Sequence, residues 1–196
     1  SMAYRVSKWV LTVFGVGCLG LPLKSGAEPL ASAEIFDAQR LDQIQVIGTH
    51  NSYHTPVDND ILQDIERKNK NLSTLLFYSH APLTQQLESG VRQIELDIYA
   101  DTAGGRFTHP HLTPFSDVKT VPRLSEREKK LMQKPGFKVM HIPDLDQRAT
   151  CQPFVQCLKE IQAWSKAHPA HIPLFVLLET VQHNDVSGLQ TPEPFT

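Results

Sequence analysis

Four short apolar segments recur along the chain, and each runs straight into polar groups: residues 44–47 into His50 and Asn51, Ile94 into Glu95-Leu96-Asp97, Val139-Met140 into His141, and residues 174–178 into Glu179. Short β-branched runs bounded by Gly, Pro and polar residues predict strands, here over 45–49, from 91, over 137–140 and over 172–178. The stretches between them carry helical signals. Residues 60–70 form a polar helical stretch, and 82–89 a shorter helix with Pro82 in its first turn and Gly90 stopping it. In the long Pro- and Gly-marked connection 101–136, Ser125 and Glu128 make a capping-box pattern that opens a short charged helix. A connection of this length fits either a lid over a site or a neutral insertion. From Pro153 onward, Phe154, Cys157, Leu158, Ile161 and Trp164 recur at helical spacing and predict a helix packed on the sheet.

Strands alternating with helices argue for a parallel α/β sheet. Side chains two apart on a strand share a face, so Glu95 and Asp97 project together while Ile94, Leu96 and Ile98 face the covering helices. In βα-repeat folds, reacting groups gather where strands give way to loops at their C-terminal ends. Only 18 residues follow position 178, whereas a closed eight-stranded barrel usually takes about 250 residues. The expectation is either a four-stranded open fold or the front half of a barrel.

With 40% hydrophobic and 20% charged residues, the chain has the make-up of one globular unit. Its start is different in kind. Arg5 and Lys8 precede an apolar run from Trp9 to Leu23, and Ser25-Gly26-Ala27 is a small-x-small cleavage pattern. Residues 1–27 therefore read as an export signal, with Ala31-Ser32-Ala33 as a second candidate cut after 33, and 34–196 as the working domain. The destination would be the periplasm or the exterior. Taking Arg5, Lys8 and Lys24 from the 19 basic residues while keeping all 21 acidic ones leaves a formal charge of −5, which argues against a nucleic-acid partner. Export also places Cys151 and Cys157 where thiols oxidise, and they can pair if Cys151 lies ahead of the helix and folds back over it.

The two carboxylates of Glu95 and Asp97 on one strand face favour a cation, since unrelieved like charges this close would push one pKa strongly upward. A hard ion such as Ca2+ accepts oxygen ligands readily, and Asn51 and Glu179 could complete the set. His50 and His141, at two other strand ends, suit proton transfer and electrostatic duties on a phosphodiester. His54, His109, His111 and His183 could line the site from loops, while His80, His168 and His171 read as packing or surface groups. Zinc held by His50 and His54, or by His109 and His111, lacks a specific spacing.

The order of Gly48-Thr49-His50-Asn51-Ser52-Tyr53, Pro82-Leu83, Gln86-Leu87, Gly90-Val91-Arg92, Glu95-Leu96-Asp97, Met140-His141-Ile142-Pro143-Asp144-Leu145-Asp146, Trp164, His168-Pro169 and Leu178-Glu179 resembles the X region of the calcium-dependent phosphoinositide-specific phospholipases C, in particular their secreted bacterial branch. The resemblance spans about residues 41–185. It implies a distorted TIM barrel, with His50 and His141 as the catalytic histidines and Asn51, Glu95, Asp97 and Glu179 as calcium ligands. It also implies attack of the inositol 2-hydroxyl on phosphorus in a phospholipid at a membrane surface, releasing diacylglycerol. It leaves open which histidine donates a proton and whether Glu95 or Glu179 is the base. The later strands that hold the inositol ring in this family have no counterpart here, so a C-terminal half-barrel segment is an expected partner. Glycerophosphodiester phosphodiesterases share such His and Glu-x-Asp groups, but they open on His-Arg-Gly where this chain has His50-Asn51-Ser52. A calcium- or phospholipid-binding module without turnover is the alternative from another class.

Overall fold

The hydrophobic alternation of the second predicted strand organises the sheet. The computed structural model describes residues 39–111, 121–182 and 188–195. The predicted export signal with both cut sites, and His183, lie outside the described residues. After a 3-10 turn at Leu41–Gln43 come α1 (Asn59–Lys68), α2 (Lys70–Leu76), α3 (Leu83–Glu88), β1 (Gln93–Tyr99), α4 (Glu126–Met132), β2 (Lys138–Val139), α5 (Phe154–Ala167) and β3 (Phe175–Thr180). The strand order is β2-β1-β3. No helix among the described residues is long and apolar enough to cross a membrane.

β1 lies at the centre and β3 runs parallel to it, with Glu95 opposite Leu177 and Asp97 opposite Glu179. Ile94, Leu96 and Ile98 point away from those acids into a core with Leu83 and Leu87 of α3 and Cys157, Ile161 and Trp164 of α5. Trp164 Nε1 donates to Glu88 at 2.8 Å, tying α5 to the end of α3. Within the α5 stripe, Leu158 departs from expectation. It sits at the margin of the apolar arc and is 39% exposed. All of β3 is open on its flank, and Val176, Leu177 and Leu178 are each 38–55% exposed. Cys151 and Cys157 form the expected disulfide, with Cα atoms 5.2 Å apart and Cys151 ahead of α5.

Three predicted elements differ in detail. The helix over 60–70 is interrupted at Asn69, whose side chain accepts from Leu72 N–H and starts α2. Asn makes a better N-cap than a helix interior, because its carbonyl satisfies an orphan amide of the next turn. Residues 45–49 run parallel to β1 but meet it through a single bridge, Gly48 to Gln93, with Thr49 N–H donating to the Gln93 carbonyl. A Cβ on Gly48 would run into the Gln93 side chain, so this close crossing needs glycine. The third strand pairs with β1 antiparallel, Ile98 with Val139 and Tyr99 with Lys138, where a wholly parallel sheet was expected. Antiparallel pairing needs only a returning loop, and α4, opened by the Ser125–Glu128 capping box as predicted, packs beside Tyr99 and Phe107 rather than crossing the sheet.

Candidate active site

The turn after Gly48 is fastened across β1 by its own polar side chains. Ser52 N–H donates to the Glu95 carbonyl at 3.0 Å, and Glu95 N–H donates to Ser52 Oγ at 2.9 Å. Thr49 Oγ1 donates to Gln86 Oε1, while Gln86 Nε2 donates to the Ser52 carbonyl. Within this strap Asn51 adopts φ +47°, a left-handed conformation that Asn tolerates better than most residues. The strap carries His50 and Asn51 to the acidic face of β1.

That face holds three carboxylates. Glu95, Asp97 and Glu179 each offer an oxygen within 4.8 Å of the others. Asp97 is 4% exposed and accepts from the Tyr53 hydroxyl at 2.8 Å. Burial raises its pKa; the Tyr53 hydrogen bond opposes that and the charges of Glu179 and Glu95 add to it, leaving it at about 6. Burial likewise raises the Tyr53 pKa, so this hydroxyl stays a donor.

Asn51 tests whether a cation fits. Its Nδ2 donates to the Tyr78 hydroxyl at 2.8 Å, and the opposite amide atom lies 3.2 Å from both Asp97 oxygens. Turned over, the amide donates its N–H groups to Asp97 and accepts from Tyr78. Unturned, its Oδ1 faces the Asp97 carboxylate beside the Tyr53 hydroxyl and adds a fourth oxygen to the trio, the all-oxygen donor set that a hard cation takes. The donor set, three carboxylates on the paired strands β1 and β3 with the Asn51 amide beside them, fits a hard divalent cation.

His50 Nε2 lies 3.9 Å from Glu95 Oε1 on a side chain that is 73% exposed. His141 stands behind, its Nδ1 2.9 Å from Asp146 Oδ2 and its carbonyl accepting from the Tyr99 hydroxyl. Burial pulls the His141 pKa down, but the Asp146 hydrogen bond and charge, with Asp97 and Glu179 further off, outweigh it and hold it above the ordinary value. The two histidines share the wall of a hollow of about 490 Å³ with Tyr78, His80, Ile142 and the leucines 72, 75 and 76. Leu75 and the neighbouring Phe77 are 70% and 77% exposed.

The structure thus gathers Glu95, Asp97 and Glu179 with Asn51 beside Asp97 and His50 beside Glu95, while His141 shares a hollow with His50 and hydrogen-bonds to Asp146. It also corrects the histidine reading. His80, taken for a packing or surface group, lines the hollow, and its Nε2 bonds to the His50 carbonyl at 2.8 Å. His54 is fully buried rather than lining from a loop. His109 and His111 are tied into loop contacts, with His111 N–H donating to Asp144 and the His109 carbonyl accepting from Gln190. His168 stacks on Trp164 as a packing group, as expected. Tyr53, Tyr78 and Asp146 are additional members of the site. Tyr53 and Asp146 stand inside the motifs already singled out, whereas Tyr78 follows α2 without a pattern of its own.

A family model described as "Phosphoinositide phospholipase C, Ca2+-dependent" matches residues 39–196. No curated protein and no solved structure matches the chain.

Proposed function

Because this chain belongs to the calcium-dependent phosphoinositide phospholipase C family, we propose that it cleaves phosphoinositides at the diacylglycerol side of the phosphate, using the inositol 2-hydroxyl as nucleophile. The observation that carries this reading is the convergence of Glu95, Asp97 and Glu179 with Asn51 above them and His50 3.9 Å from Glu95. Asn51, Glu95, Asp97 and Glu179 would hold calcium. Once bound, calcium supplies positive charge that favours the alkoxide form of the hydroxyl and offsets charge building on phosphorus.

The protein's own groups do the rest. A carboxylate of the trio takes the 2-hydroxyl proton as the new oxygen–phosphorus bond forms. The bond from phosphorus to the glycerol oxygen breaks, and an imidazolium gives that oxygen a proton, so diacylglycerol leaves neutral and a cyclic phosphate remains. His141 suits the donor because its hydrogen bond to Asp146 and the nearby carboxylate charges favour its protonated form over that of an ordinary imidazole. His50, exposed at the mouth, lies where a phosphate oxygen would be received. Water later opens the cyclic phosphate to inositol phosphate.

The lipid setting is supported by two exposed apolar side chains, Leu75 in the wall of the hollow and Phe77 two residues on. The uncovered flank of β3 supports the further reading that this sheet belongs to the front of a TIM-like barrel, completed by strands that a C-terminal segment would supply. Export to the periplasm or exterior fits the oxidised cysteine pair. Release of cyclic inositol phosphate from phosphatidylinositol vesicles, measured with calcium and with a chelator, tests the proposal. Calcium-dependent release is expected. Turnover that survives chelation would remove the calcium mechanism, and calcium binding without turnover would make the protein a binding module.

A further inference from the structure

Behind the hollow lies a buried chain of groups that the cleavage steps above do not use. His54 has both ring nitrogens occupied: Nδ1 lies 3.0 Å from the Tyr78 carbonyl and Nε2 lies 2.6 Å from Asp146 Oδ2. The same Oδ2 lies 2.9 Å from His141 Nδ1. His54 is fully buried, Asp146 is 3% exposed, and the Tyr78 ring stacks on the His54 ring at 4.0 Å. The His54 backbone N–H donates to the Asn51 carbonyl, so the strap that carries the acidic site also sets the height of this ring.

The donors and acceptors allow few proton placements. A carbonyl only accepts, so His54 Nδ1 must carry a proton toward Tyr78. Its Nε2 then faces a carboxylate oxygen, and this contact needs a proton of its own, held on the ring or on the carboxyl. Either way, the contact on Oδ2 is already supplied with its hydrogen from the His54 side. Oδ2 is left to accept from His141, and the proton in the second contact must sit on His141 Nδ1. The remaining nitrogen of His141, Nε2, is thereby set as the one that exchanges protons in the hollow.

We infer that His54 and Asp146 act together as positioning residues that fix the tautomer and ring orientation of His141. This rests on the reading of His141 as a catalytic group. Without His54, Asp146 would be a buried carboxylate with one partner fewer, free to rotate. Without the carboxylate, an imidazole loses the acceptor that selects its Nδ1–H form, a loss known to be severe when a general acid or base depends on it. Tyr78 extends the arrangement, because its hydroxyl meets Asn51 while its carbonyl and ring hold His54.

The test is two-bond proton–nitrogen NMR on the full chain labelled at histidine, recorded without calcium and at a pH alkaline enough to leave His141 neutral. His141 of the unaltered protein is expected in the Nδ1–H form. Asp146→Asn should shift it toward Nε2–H. His54→Phe should do so in part, and His54→Gln, which keeps an N–H directed at Asp146, should recover the original form. In vesicle assays kcat should fall by about 10- to 100-fold in Asp146→Asn and His54→Phe, with KM and calcium affinity little changed. An Nε2–H form in the unaltered protein overturns the inference, and needs no variant to fold. So does a folded His54→Phe protein with unaltered tautomer and kcat. Tautomer changes as expected in a protein without phosphoinositide turnover would support the positioning role while overturning the function proposed above.

Discussion

Asp97 and Glu179 stand opposite each other in the parallel register of β1 and β3, one buried beneath Tyr53 and the other on an exposed strand. Placing two acids side by side costs stability unless something positive joins them. Asp97→Asn removes that conflict and keeps an oxygen near the same place. The expected result is a calcium-free protein that melts a few degrees higher, about 4 °C per kcal/mol gained, and that binds calcium at least tenfold more weakly by titration calorimetry. A variant whose calcium affinity is unaltered would remove Asp97 from the ligand set.

The same carboxyl predicts how stability follows pH. Its folded pKa of about 6 lies above the ordinary 3.8, so between those values the folded chain holds a proton that the unfolded chain has released. Stability without calcium should therefore fall as pH rises through that window, by on the order of 3 kcal/mol at most. His141, also raised, works in the same direction. Its contribution is complete below the unfolded value of 6.5 and is lost as pH rises through the folded one. Thermal melts in chelator across this range should show the decline, and excess calcium should flatten it because the bound ion favours the ionised carboxyl. Chelated melts that rise with pH would contradict both assignments.

His50 and His141 should separate by stability, not by turnover. Alanine at either position is expected to lower kcat by about 10²- to 10⁴-fold, leaving calcium affinity nearly intact. His50→Ala should melt within about 0.5 kcal/mol of the unaltered protein because its side chain is exposed. His141→Ala should be less stable, since it strips a donor from buried Asp146. Normal vesicle kinetics with either histidine absent would exclude that residue from the chemistry.

Leu75 and Phe77 are predicted to act on lipid surfaces and not on the reaction. Seating an exposed Leu or Phe in an apolar phase is worth about 1.5–3 kcal/mol, so Leu75→Ser or Phe77→Ser should each weaken binding to phosphatidylinositol vesicles roughly tenfold or more. Turnover of a short-chain, monomerically dispersed substrate should be unaffected. Equal losses on both substrates would place these side chains in the site proper.

The Cys151–Cys157 bridge closes a small loop at the start of α5. Replacing both cysteines with serine should cost about 2 kcal/mol by chain-entropy reasoning, read as a lower denaturant midpoint. The geometry of the acidic trio, on the far face of β1, should be untouched, and calcium affinity with it.

Much of the site was legible because it depends on local periodicity. Alternation on one strand put Glu95 and Asp97 on a common face, the ends of other apolar runs marked His50, His141 and Glu179, and the Ser125–Glu128 box announced α4. Less local features were not visible. The break at Asn69 turned on whether a side chain caps a new helix or continues an old one, and tertiary packing of α1 against α2 decides that choice. The direction of β2 depended on where a long connection returns.

What the amino-acid order determined by itself is the chemistry offered at each strand end and the face on which it is offered, since backbone pleat and side-chain type are properties of neighbouring residues. What the tertiary structure alone decided is which of those groups meet. The pairing of His54 with Asp146, the contact of Tyr78 with Asn51, and the bond of His80 to the His50 carbonyl join residues that lie 27 to 92 positions apart. No local pattern encodes such distances, because they are set by how strands and straps cross once the core has closed.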